Sequence, residues 1–121
     1  MSNLSTSTTM SPALARGVGP LPIAELLAEF AKAHGRTLSP RGRRTVEEVI
    51  DCLSDYLRDN GVALLAKTGR AGVVTLAGLG AWIDAFERDE LVEALDGERD
   101  KLRTADTAIR ALSRYLAKAL G

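Results

Sequence analysis

The sequence predicts an all-α domain, a compact bundle of four to five helices. Three observations carry that expectation. Apolar residues recur at helical spacing in four separate stretches. No segment alternates at period two for long enough to make a convincing strand, and aromatic residues are only 4% of the chain. At 121 residues the chain has the length of one domain and can bury a real core. The expected layout is a disordered Ser/Thr-rich tail over residues 1–20 followed by a single all-α domain over 21–121.

The tail, "MSNLSTSTTMSPALARGVGP", contains no acid, shows no amphipathic period and has no apolar run of the kind a signal peptide needs. Helix one is read from "PIAELLAEFAKAH", with proline at its start and Ile23, Leu26, Leu27 and Phe30 at i, i+3, i+4, i+7. Gly35 is expected to terminate it. Helix two carries Val46, Val49, Ile50, Leu53 and Leu57 on one face and stops at Asn60-Gly61. "VALLAKTGRAG" reads either as a short helix over 62–66 or as irregular chain, with a glycine loop over 68–72.

Helix three is expected to use Thr75 as its cap and Leu76, Leu79, Trp82, Ile83 and Phe86 as its core stripe. Gly78 and Gly80 inside it each cost roughly 1 kcal/mol against alanine, which suggests a neighbouring helix close to that backbone or an irregular first turn. "DELVEALDG" continues as a short acidic turn or helix closed by Gly97. The last helix, "ERDKLRTADTAIRALSRYLAKALG", is the clearest: Leu102, Ala105, Ile109, Leu112, Leu116 and Ala119 form a seam suited to helix packing.

Composition excludes several function classes. No apolar run approaches the ~20 residues of a membrane span, and the single cysteine fits a reducing, cytoplasmic setting. One cysteine and one histidine cannot supply the usual zinc sets and leave no nucleophile–base triad within the chain. "TGRAG" is too short for a phosphate loop and lacks its lysine. The reading is therefore non-enzymatic, with no catalytic residue, metal or cofactor. Cys52 is expected to be a buried, unreactive small hydrophobe, and His34 to cap the last carbonyls of helix one. Tyr56 and Tyr115 should cover core edges with their hydroxyls in water.

The formal net charge of zero conceals signed blocks. Lys32, Arg36, Arg41, Arg43 and Arg44 fall between Phe30 and Val46 with no acid among them. Eight acids lie between Asp84 and Asp100, and five cations between Lys101 and Lys118. Electrostatics here belongs to faces and not to the total.

The basic run is the most informative stretch. Thr45 with Glu48 would make a capping box, starting helix two after the arginines. Ser39 followed by Pro40 is the alternative, cap then proline at the first helical position. The core period extends back to it without clash, so this start is the expected one. Arginines on a first helical turn are disfavoured by the helix dipole by ~0.3–1 kcal/mol each. With free amides beside them they would form an anion site. They could equally pair with the acidic block 84–100 of this or another copy, or simply face solvent. Arg103, Arg110 and Arg114 on the last helix offer a second basic patch, as duplex binding requires several phosphate contacts.

"LAEFAKAHGRTLSPRGRRTVEEVIDCLSDYLRDNG", "VTLAGLGAWIDAF" and "LRTADTAIRALSRYLAKAL" together resemble the core-binding, sterile-alpha-motif-like domain that precedes the catalytic domain of tyrosine recombinases (phage integrases). The likeness spans about residues 21–120 and rests on loose motifs: a helix ending in Phe, an "LSP" turn, a basic Thr-containing helix start, and a final Ala-rich helix ending in Tyr115-Leu116. It implies a four-helix module gripping DNA from one side. By position, Arg36, Ser39, Arg41, Arg43, Arg44 and Thr45, with Arg103 and Arg110 on the last helix, would face DNA. Gly42 departs from the pattern, and the catalytic half is missing, so nothing catalytic carries over. The alternative partner is protein: a homo-oligomer or helical interaction module in which Asp89, Glu90 and Glu93 meet basic patches.

Overall fold

Pro22, with φ near −68°, ends a two-residue strand and starts the first helix in a single step. Its fixed φ suits the entry, and the missing N–H costs nothing there. The computed structural model describes residues 19–121, so the expected tail lies, up to residue 18, outside the described residues. The order is β1 (Leu21–Pro22), α1 (Ile23–Gly35), α2 (Pro40–Asp59), β2 (Leu64–Leu65), β3 (Val73–Val74), α3 (Leu76–Phe86), a π-helical turn (Glu87–Leu91), α4 (Val92–Ala94) and α5 (Arg99–Leu120). The chain is thus mostly helical in coarse terms.

The small sheet corrects the strand-free expectation. Its order is β1-β2-β3, with β1 antiparallel to β2 through Leu21–Leu65 and Pro22–Leu64. β2 runs parallel to β3 through Leu64–Val73 and Leu65–Val74. The stretch 62–66 is therefore extended and not a short helix. Two-residue strands are too short to show a period, which is why alternation could not reveal them. They serve to tie the entry of α1 to the middle of the chain, with the Ile23 amide donating to the Ala63 carbonyl at 2.9 Å.

α2 is the central helix, packing on α1, α3 and α5. Val46, Val49, Ile50, Leu53 and Leu57 are all buried along its inner face. They meet Leu26, Leu27 and Phe30 of α1, Leu79, Ile83 and Phe86 of α3, and Ala105, Ile109, Leu112 and Leu116 of α5 in one core. Each fully buried large side chain contributes about 1.5–3 kcal/mol relative to exposure. Small Ala105 and Ala108 let α5 lie near its neighbours.

Several local expectations change. Gly35 is the last residue of α1, yet it is not in the left-handed region; a Cβ there would sit 2.8 Å from Cγ of Arg43, so the arginine stem needs the space. Neither Gly78 nor Gly80 faces another helix: the Gly78 amide donates to the Thr75 cap oxygen at 3.1 Å, and nothing lies within 4 Å of a Cβ placed on Gly80. Trp82 is half-buried, edge-on to Tyr56 at 6.1 Å. The His34 ring stacks on Phe30 at 5.2 Å, and the Thr37 hydroxyl is what donates to the His34 carbonyl, at 2.7 Å. Tyr115 does not leave its hydroxyl to water; it donates to Glu29 Oε1 at 3.0 Å. Cys52 is half-buried and not sealed in the core.

Candidate nucleic-acid interface

Ser39 decides the electrostatics of the α2 start. Its backbone is extended, and its Oγ accepts from the Gly42 amide at 3.1 Å while Pro40 takes the first helical position. The helix therefore begins at Pro40, and Arg41, Arg43 and Arg44 belong to its opening residues instead of a loop. Proline lacks an N–H and Ser39 already occupies that of Gly42, so few amides remain to meet an anion. The guanidiniums, more than the helix start itself, carry the positive charge.

They divide between two sides of the helix. Arg43 joins Arg36 and Lys32 along a groove between α1 and α2, whose α2 wall also carries Glu47 and Asp51. Arg41 and Arg44 lie on the other side, in shallow clefts shared with Lys101 at the start of α5. Thr45 lies between them but is only 4% exposed, and its hydroxyl donates to the Arg41 carbonyl at 3.2 Å. Thr45 thus packs the turn from within, with the hydroxyl spent on the backbone.

Among the described residues, no carboxylate lies within ion-pair distance of Arg36, Arg41, Arg43 or Arg44, all of them exposed. The i+4 neighbours of Arg43 and Arg44, Glu47 and Glu48, follow them in the weaker order, cation before acid. Lys101 is held instead by Glu98 at 3.4 Å and Glu48 at 3.9 Å. Arg103 is exposed near the start of α5, on the helix end that borders the Arg41 cleft. Arg110 pairs with Asp106 at 3.2 Å and sits close enough to Glu87 to act on its titration, so it belongs with the acidic region. Lys32 and Lys101 join the site without having been expected there. Their only sequence signal is membership of the two basic blocks, since their closeness to the arginines depends on helix packing.

The acidic residues gather elsewhere. Asp89 is taken by its neighbour Arg88, which donates from Nε at 3.0 Å and from the guanidinium terminus at 3.2 Å. Glu90 and Glu93 line a groove with Asp55 and Asp59 of α2, over Tyr56 and Phe86. Arg58 partly neutralises the two aspartates, at 2.9 and 4.0 Å. Cys52 lies on this groove; burial, then the charges of Glu48, Asp55 and Asp51, push its thiol pKa up. Glu87, half-buried, is likewise pushed up by burial and then by Asp106 and Asp84, against a smaller lowering by Arg110. Among the described residues no group of three His, Cys, Asp or Glu side chains is placed to hold a metal, and no helix is long and apolar enough to cross a membrane.

Comparison with protein-family models, with curated proteins and with solved structures gave no match.

Proposed function

We propose that this chain is a non-enzymatic, cytoplasmic DNA-binding module, similar in fold to the arm domain of tyrosine recombinases, that contacts phosphates through the first turn of α2. The observation that carries the reading is a group of exposed arginines with no carboxylate partner among the described residues: Arg41, Arg43 and Arg44 on two sides of one helix start, with Arg36 just before it. Cations left unpaired on a turn where the dipole already disfavours them are unfavourable for folding, and a polyanion spanning both sides would satisfy them. The guanidinium fork suits phosphate oxygens bidentately. The clefts beside Arg41 are shallow, so the contact is to a backbone surface and not to a buried small molecule.

The test is a salt series with duplex DNA. Arg41→Ala with Arg44→Ala should weaken binding at every sequence. The slope of log affinity against log salt should fall by roughly 0.9 for each phosphate the variant no longer neutralises. Arg41 and Arg44 are a cleaner pair than Arg43, whose stem covers Gly35. Stability should not fall, and should rise by up to ~0.3–1 kcal/mol for each cation removed from the first turn. An unchanged slope, or no binding by the parent at low salt, would remove the reading.

A further inference from the structure

The arginine turn and the groove's Glu90 and Glu93 lack ion-pair partners among the described residues. Arg58 answers only Asp55 and Asp59, and the fold keeps turn and groove apart. Arg41 and Asp55 are on the same helix, 14 positions apart, which is about 21 Å at 1.5 Å per residue. An arginine side chain cannot bridge that distance. Glu90 and Glu93 have no ion-pair partner among the described residues, and neither do the arginines. Any satisfaction of one by the other has to come from a second molecule.

The groove is suited to arginine in particular. Its floor carries the half-buried Tyr56 ring, backed by the buried Phe86 at 5.6 Å, ring centre to ring centre. Glu90, Glu93, Asp55 and Asp59 line it as well, the two aspartates shared with Arg58. A guanidinium can stack on the Tyr56 ring while its edge meets a carboxylate, which an ammonium does less well.

From this complementarity we infer that the groove between α2 and the π-helical turn is a docking surface for a second copy of this chain, which inserts the first turn of its α2. The contact is heterologous, because the donor patch and the acceptor groove are different surfaces. Each molecule in a row leaves one of each open, so association builds open chains unless the rotation closes a ring. Docking of this kind does not depend on DNA binding and is tested without nucleic acid.

Two variants separate it from any other assembly. Glu90→Lys with Glu93→Lys spoils the groove and leaves the arginines; Arg41→Ala with Arg44→Ala spoils the arginines and leaves the groove. Light scattering at low salt should show the parent above monomer mass, and each variant alone as a monomer. Mixed in equal amounts, the two should form a dimer and nothing longer, since one good donor meets one good groove. Arg41→Lys with Arg44→Lys, which keeps the charge, should still weaken association by several fold. A monomeric parent at low salt, or a mixture that stays monomeric, would overturn the inference. Circular dichroism of each variant, unchanged from the parent, certifies that a fall in mass is not unfolding.

Discussion

Arg43 joins two levels of the structure in one side chain. Its methylene stem fills the space that a Cβ on Gly35 would claim, at 2.8 Å, while its charged end faces the α1–α2 groove. Long cations commonly bury the stem and leave the charge in water. Tyr115 is the opposite case, a polar tip drawn inward. Burial, then the hydrogen bond to Glu29, then the charge of Glu29, raise its pKa from 10.0 to about 12. The folded state therefore holds the neutral phenol more firmly than the unfolded state does. That stability is fully present below pH 10 and is lost as pH rises from 10.0 toward about 12. Melting temperatures across this window should fall for the parent, and the slope should be shallower in Tyr115→Phe, which has no phenol to ionise. Equal slopes would mean that Tyr115 titrates as it does unfolded.

Helix ends and interiors treat glycine differently, and the element scale gives a paired prediction. Gly61 follows α2 with φ +74°, its amide donating to Arg58 and that of Val62 to Leu57 at 3.0 and 2.9 Å. This double closure needs a residue tolerant of the left-handed region. Gly61→Ala should therefore destabilise by about 1–2 kcal/mol. Gly80, inside α3 with nothing near an added Cβ, should show the opposite sign: Gly80→Ala should stabilise by about 0.5–1 kcal/mol. Urea unfolding of the two variants checks both signs at once. The elements were legible where period or cap chemistry was strong. Ser39-Pro40, Thr75 and the Leu102–Ala119 seam each marked a helix that the structure contains. The sheet was not legible, because its first pairing joins residues more than forty positions apart (Leu21 with Leu65) and each strand is two residues long. The half-exposure of Trp82 and Cys52 was also hidden, since spacing tells which stripe a residue joins but not whether the neighbouring helix reaches its edge.

At the scale of the whole molecule, charge is separated along α2. The basic first turn has no acid in it, and Asp51, Asp55 and Asp59 follow toward the other end. The sequence showed the signed blocks and the arginines within them. It could not show that Thr45 is enclosed, that Lys32 and Lys101 border the arginines, or that Arg110 lies near Glu87. Those facts come from how α1 and α5 dock on α2, which depends on the entire core.

The uncompensated first turn of α2 also makes the domain a reporter of its own occupancy. An anion held there by the folded chain alone raises the melting temperature by mass action, adding about 2.7 kcal/mol of stability at a hundred times its Kd. A thermal scan over phosphorylated compounds, oligonucleotides and acidic peptides should single out true occupants as those whose upward shift disappears in Arg41→Ala with Arg44→Ala. General salt effects such as those of sulfate act through excluded solvent and should persist in that variant. The scan then identifies a ligand class before any affinity is measured, from a turn the fold leaves energetically unfinished.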